Sequence, residues 1–520
     1  MATSGLVGYA FVRDALDLTA FALERPARVG PVTRIERGEN ALSVPAGVAP
    51  DKGDDLLSHL LFALKHEGVN LQVLAQALPS VPAARMQVEF AAAPNGQYIR
   101  VACHLWEAWT GQKLTERPDI GGAYVDIFDR NRYITGPSQR DPRWRVDFNG
   151  LGTVRYCATV ERTPAIEAAM NSDILRRAKA FLDSLDGSMM ERALSWAYLH
   201  ETEDSYAIER EAPSEDKART FIGLLKQAHR GHPLSEAYLV ELQSSVLTNP
   251  LERAVQFRSR QNWLRGPGRG APSVTYVPPP PDLMVDLMDH WMHFANHAPQ
   301  HIDPIVAASI ASFGFVFIHP FMDGNGRLSR FLFHKALCTS GRLEDGMLLP
   351  VSVAMKRHEK EYLETLQHFS RPARACVNVT WLDENSFAFD FKGGAAADAI
   401  FRFWDATRCV EFGFQMAEQA LDVELRQEIR YLHLFDAIKK RADETMDVRG
   451  SVLAILISGC LHNEGIVSNN KRKRYGDVVS ASMFDEIEEI TQSVLAEAAG
   501  RDFGAEPLPQ AVRSRPRPRS

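Results

Sequence analysis

Apolar residues recur at helical spacing through most of this chain, with a few stretches of different character. Leu56, Leu60, Leu61, Leu64 and Leu71 form a stripe that predicts helix, broken around Glu67-Gly68. Met86-Gln87-Val88-Glu89-Phe90 alternates apolar and polar residues and predicts a strand. The stretch holding Gly136-Pro137, Arg140-Asp141-Pro142 and Trp144 reads as irregular chain. From about residue 188 the period is helical. Leu194, Tyr198 and Leu199 share one face of a helix running toward Glu209, with Pro213 as its expected stop. Another helix is expected over about 234–248.

Residues 257–281 break this pattern. Gln261-Asn262-Trp263 and Val274-Thr275-Tyr276-Val277 flank a glycine-rich turn, Gly266-Pro267-Gly268-Arg269-Gly270. Two short extended pieces around such a turn predict a hairpin, or flap, from Arg265 to Val277. The run Pro278 to Pro281 predicts a stiff spacer. Helices are then expected at about 283–296, 304–317, 327–340 and 357–369. Asp303-Pro304 is a start signal, a capping carboxylate followed by proline in the first turn. The helix it opens is apolar nearly all round, which places it at the centre of a domain.

Residues 376–495 read as a further, mostly helical region. Arg513, Arg515, Arg517 and Arg519, spaced by Ser and Pro, predict a disordered tail. The expected division is therefore 1–185, an N-terminal α+β region of unassigned role; 186–375, a helical core; 376–500, a C-terminal helical region; and 501–520, the tail. A chain of 520 residues has room for about three domains.

The net charge of −7 argues against a protein built mainly to coat nucleic acid. Lys471, Arg472, Lys473 and Arg474 form a short basic run that could meet phosphate, and a solvated loop explains it equally well. Six scattered cysteines form no C-x-x-C pair, so neither a zinc site nor a disulfide framework is indicated. No basic stretch followed by an apolar core opens the chain. No apolar run is long enough to span a bilayer. A cytoplasmic location without membrane contact is expected, with signal-less export left open.

The candidate chemistry lies in His319-Pro320-Phe321-Met322-Asp323-Gly324-Asn325-Gly326-Arg327-Leu328-Ser329-Arg330. Two alternate glycines let backbone N–H groups approach an anion closely, and the loop opens onto a helix N-terminus, where N–H groups and the dipole favour phosphate. Arg327 and Arg330 share one face of the first turn and can grip phosphate oxygens. Asp323 is a hard oxygen ligand for Mg²⁺ or Mn²⁺. His319 is the nearby side chain able to accept a proton near neutral pH.

This segment resembles the signature of the Fic family, H-P-F-x-(D/E)-G-N-G-R-x-x-R, at every specified position. The resemblance covers about 190–375 and includes Gln261-Asn262-Trp263, Tyr276-Val277-Pro278-Pro279 and Leu349-Pro350-Val351-Ser352. Ser312 departs from it, standing where many members carry a histidine. The resemblance implies a mainly α protein, a Fic-fold helical core with a short β-hairpin flap. It implies an adenylyltransferase moving AMP from ATP, with Mg²⁺, onto a Ser, Thr or Tyr hydroxyl of a target protein, or of the chain itself. His319 would be the base, and Phe321 would anchor the loop. Asp323 would hold the metal. Gly324, Asn325 and Gly326 would cradle phosphate, while Arg327 and Arg330 would clamp the β- and γ-phosphates. The flap residues Val274, Thr275, Tyr276 and Val277 would dock the target. Ser205-Tyr206-Ala207-Ile208-Glu209-Arg210 resembles the family's inhibitory motif, (S/T)-x-x-x-E-(G/N), with Arg210 as the departure. Its Ser205 and Glu209 would block Arg330. Three alternatives stay open: removal of AMP, transfer of another phosphate-linked group, and a regulator that only senses nucleotide.

Overall fold

The computed structural model describes residues 5–50, 55–115, 119–384 and 386–499. The expected disordered tail, 501–520, lies outside the described residues. Helices dominate, and the strands pair only into small sheets of two or three.

At the centre stands helix Pro304–Ile318, in which every residue but Val316 is buried. Asp303 Oδ1 starts it by accepting from the backbone N–H groups of Ile305 and Val306, at 2.9 and 3.3 Å. Around it pack Pro281–His297, Asn325–Thr339 and Thr407–Gln419. The last comes from far along the chain, and its Gly413 has no room for a side chain: an added Cβ would collide with Ser309 of the central helix. The core around this helix draws on residues from Ile134 to Leu425. Strand Phe403–Asp405 pairs in parallel with Tyr156–Thr159, joining late chain to early chain. A second core gathers the N-terminal helices, and a third unites Arg426–Thr445, Gly450–Leu461 and Ala481–Ala499.

Several local expectations are corrected. Met86–Phe90 is not a strand but part of helix Ala83–Ala92. Met86 and Phe90, four apart, are buried, whereas Val88 is 66% exposed, so the period is helical. Residues 136–144 are less irregular than expected: Gln139–Asp141 pairs antiparallel with Val146–Phe148. Leu199 does not share the buried face of helix Gly187–Ile208, which is lined instead by Ala197, Tyr198, Glu201, Thr202, Ser205 and Tyr206. That helix ends before Pro213. Arg210 adopts a left-handed conformation (φ 61°), while the N–H groups of Arg210 and Glu211 reach back to the carbonyls of Ala207 and Tyr206. This is a Schellman ending with arginine where glycine or asparagine is usual. The region after 376 also carries a hairpin, Val377–Asp383 with Ser386–Phe391. Among the described residues no helix is long and apolar enough to cross a membrane.

Candidate active site

The loop from His319 to Gly324 links the central helix to helix Asn325–Thr339, called here the motif helix. His319 closes the central helix in a left-handed conformation (φ 56°), its N–H bonded to Phe315 O. Pro320 prevents the helix from continuing. Phe321 is fully buried against Phe257 and Phe315. Asn325 accepts from the Phe321 N–H at 3.0 Å and donates to the Phe321 carbonyl at 2.8 Å. Its side chain is therefore committed to the loop, which leaves its backbone N–H as the group it could offer an anion. Gly324 caps the motif helix at φ 85°, a region open to glycine.

His319 Nδ1 lies 3.0 Å from Val316 O. A carbonyl only accepts, so in the neutral ring Nδ1 carries the proton and Nε2 keeps a free lone pair. Burial pushes the His319 pKa down to about 4; the contact with Val316 opposes this, and the Arg258 charge adds to it. The ring is therefore neutral near pH 7.

Arg330 is 1% exposed and bonds to Ser205 Oγ at 2.9 Å, to Ser205 O at 2.6 Å and to Glu209 Oε1 at 3.0 Å. Ser205 in the last turn of helix Gly187–Ile208 and Glu209 at its C-cap, four residues apart, thus hold one guanidinium together. One turn earlier, buried Glu201 meets His334 of the motif helix at 2.8 Å and accepts from the Ser352 N–H at 2.7 Å. Sequence reasoning missed that contact, although Glu201 and Ser205 show the same i, i+4 spacing. Arg327, also 1% exposed, pairs with Glu211 at 2.8 Å and stands over the Tyr206 ring. Glu211 also accepts from Thr248 Oγ1 at 2.9 Å. Sequence reasoning did not single out Glu211; an acid two residues past Glu209 was the available signal.

A Cβ added at Gly326 would collide with Glu209 Oε1 and lie 3.4 Å from Arg330 Nη1. The Glu209 carboxylate therefore occupies the space over the glycine loop. Arg327 Nε is a buried N–H group that finds no hydrogen-bond partner among the described residues, while the Arg330 guanidinium also meets the Tyr362 hydroxyl. A buried N–H donor left over beside a glycine loop fits a phosphate-bearing ligand.

Asp323 is half exposed. Its Oδ1 accepts from the Gly324 N–H at 2.6 Å, and Arg327 lies 3.4 Å away. Asp323 and the Glu252 carboxyl hydrogen-bonded to it stand beside the glycine loop, and Mg²⁺ is often held by one or two carboxylates together with substrate phosphates. Among the described residues no group of three or more His, Cys, Asp or Glu could hold a metal by itself.

The hairpin forms as expected, Leu264–Arg265 against Val274–Tyr276. Of the four flap residues only Thr275 is exposed. Val274 and Val277 are buried, and the Tyr276 hydroxyl donates to Phe317 O, so these three anchor the flap. The basic run lies in helix Asn469–Tyr475. Lys471 donates to Ile455 O, and Arg472 pairs with Asp485 and Glu488, which leaves Lys473 and Arg474 exposed.

Residues 233–337 match the Fic/DOC family model. The chain therefore carries a Fic domain, and the glycine loop with its two arginines lies inside it. The chain is similar to the protein adenylyltransferase Fic of Aedes aegypti, 31% identical over 132 residues, and to that of Drosophila virilis, 32% identical over 129. These matches span 25% and 24% of this chain, and 23% of the length of each relative. Among solved structures, a Fic family protein from Desulfovibrio desulfuricans covers 62% of this chain and 87% of its own, at 18% identity and TM-score 0.36.

Proposed function

We propose that this chain is a protein adenylyltransferase that moves AMP from ATP to a Ser, Thr or Tyr hydroxyl and is held inhibited by Glu209. The observation that carries the reading is the convergence of a neutral histidine and two buried arginines on one glycine-lined cradle. The sequence relatives, named as adenylyltransferases, support it over the quarter of the chain they match.

In the reaction, His319 Nε2 takes the proton from the acceptor hydroxyl. The hydroxyl oxygen forms a bond to the α-phosphorus, and the bond from that phosphorus to the bridging oxygen of the β-phosphate breaks, releasing pyrophosphate. Arg327 and Arg330 balance the charge on the leaving side. Asp323 would hold Mg²⁺ (or Mn²⁺), which supplies further charge neutralisation when bound. The protein's work is largely positioning and electrostatics, because in-line transfer demands little covalent chemistry of it. A base in hydrogen-bond reach of the hydroxyl adds roughly 10²–10⁴-fold.

The test incubates the chain carrying Glu209→Gly with α-labelled ATP and cell lysate, beside the same chain carrying His319→Ala as well, and determines the mass added to any modified peptide. Addition of AMP that is lost in His319→Ala is expected. Equal labelling by the variant, or a different added mass, overturns the reading.

A further inference from the structure

The buried guanidinium of Arg258 lies between the histidine and the hairpin. It is 5% exposed, so its charge is largely removed from water. Its Nε donates to His319 O at 2.8 Å, its Nη1 to Arg260 O at 3.0 Å and its Nη2 to Pro279 O. Its own backbone N–H donates to Pro320 O at 2.8 Å. All three guanidinium nitrogens are thus spent on backbone carbonyls, two of them belonging to His319 and to the foot of the hairpin.

The next residues extend the same seam. Gln261 Nε2 donates to Pro278 O at 2.8 Å, and Asn262 Nδ2 to Phe321 O at 3.1 Å. From the other side, the Tyr276 hydroxyl donates to Phe317 O. Burying a guanidinium is costly, and burial lowers the Arg258 pKa to about 10. A lysine or a glutamine could not reach three carbonyls in a fixed fork. His319 needs such a hold: it sits at φ 56°, a conformation that non-glycine residues adopt at a cost.

We propose that Arg258 is a positioning residue for the transfer reaction. It fixes the His319 backbone in its left-handed turn and ties it to Pro279, so one side chain sets the distance between the base and the hairpin. The inference rests on His319 being the base. It gives the Gln261-Asn262-Trp263 and Tyr276-Val277-Pro278-Pro279 segments a physical role, as the two strips of chain stapled to the signature loop.

The test uses the full chain carrying Glu209→Gly, and reads AMP formed from ATP, whether delivered to the chain's own hydroxyls or to water. Arg258→Lys, His319→Ala and the double variant are compared. Affinity for a non-hydrolysable ATP analogue is measured by calorimetry. A displacement of about 1 Å can cost about 10²-fold in rate, so Arg258→Lys should lower kcat by about that factor. Its affinity for the analogue should stay within about twofold, because the phosphate cradle is built from other residues. The double variant should be no slower than His319→Ala alone, because a residue acting through the imidazole has nothing left to position. Amide exchange should rise together at Tyr276, Val277 and Asp282 and at Ile318, His319, Phe321 and Met322 in Arg258→Lys. Arg258→Gln, which keeps a donor but no charge, replaces it if the lysine variant does not fold and should show the same pattern. Unchanged kcat, a parallel loss of analogue affinity, or a further drop in the double variant each overturns the proposal. Undiminished AMP formation by His319→Ala overturns instead the base assignment beneath it.

Discussion

Glu209 and Arg330 meet in a 3.0 Å ion pair on the edge of the glycine loop, although 121 residues separate them in sequence. The arginine is 1% exposed and the carboxylate 37%. A buried cation thus meets a carboxylate that solvent still reaches. Such a contact can open without exposing the arginine, provided another anion takes the carboxylate's place.

Glu209→Gly should therefore raise AMP incorporation by about 10²-fold or more, since an α-phosphorus misplaced by about 1 Å costs about that much. The gain should vanish when Arg330→Ala is added, because the seat that was freed no longer exists. Incorporation by the wild type, Glu209→Gly, Arg330→Ala and the double variant, measured side by side, checks both. An unchanged rate in Glu209→Gly would remove the inhibitory role.

Glu211 does to Arg327 what Glu209 does to Arg330. The Schellman turn at Arg210 sends the chain back, so carboxylates two residues apart reach arginines three residues apart on the motif helix. In the Glu209→Gly background, Glu211→Gln should tighten ATP binding by about tenfold, the equivalent of one charge-assisted hydrogen bond no longer competing. Calorimetric titration with ATP analogue checks it. Equal affinity would mean that Glu211 follows Arg327 without hindering phosphate.

What the residues by themselves made legible was local; the pairing of Glu209 with Arg330, 121 residues apart, was read only from the resemblance to a known motif. The residues from His319 to Arg330 are contiguous, so their types and order could be read directly, and they come together in one loop. Arg258, Glu201 and Glu211 were not legible, because their partners lie 61, 133 and 116 residues away. No periodic pattern encodes such a pairing. Met86 and Phe90 misled for another reason: apolar residues at i and i+4 suit both a strand and one face of a helix, and the apolar Val88 between them completes an alternation that reads as strand. Only the exposure of Val88 separates the two. Asn325 was legible as a residue but not in its use, since its amide bonds to Phe321 rather than to the cradle.

Arg210 bears a left-handed conformation that glycine adopts freely. Arg210→Gly should stabilise the chain by about 0.5–1 kcal/mol, the steric cost removed less the added entropy of glycine in the unfolded state. It should also lower basal incorporation slightly, since a firmer helix end holds Glu209 over the loop. Thermal melting and basal AMP transfer check the two effects. A lower melting temperature would contradict the assignment of the turn.

The pH profile should reflect the depressed His319 pKa. The imidazole acts as base only when neutral, and with a pKa of about 4 it is neutral throughout pH 5–8. The acidic limb of kcat/KM should therefore fall below about pH 5, well under the ordinary histidine value of about 6.5. Bound triphosphate adds negative charge near the ring and favours its protonated form, so the limb of kcat should lie higher than that of kcat/KM. Profiles recorded on Glu209→Gly check both. A limb of kcat/KM at the ordinary value would place His319 in water.

Gly326 separates the two roles of the loop. A methyl group there would collide with Glu209 Oε1 and stand 3.4 Å from Arg330 Nη1. Gly326→Ala should therefore loosen the Glu209–Arg330 pair. Yet the methyl would stand where a phosphate must sit to meet the backbone N–H groups and Arg330, so release of Glu209 should bring no activity. Gly326→Ala alone should stay at or below basal incorporation. Added to Glu209→Gly, it should cut the activated rate by at least about tenfold, the loss expected when one charge-assisted contact in the cradle is denied. Incorporation by the single and double variants, with melting curves to confirm folding, decides between two outcomes. If Gly326→Ala activates the enzyme as Glu209→Gly does, the space over Gly326 serves inhibition alone and phosphate binds elsewhere. If it stays inactive and also silences Glu209→Gly, inhibitor and nucleotide compete for the same few cubic ångströms.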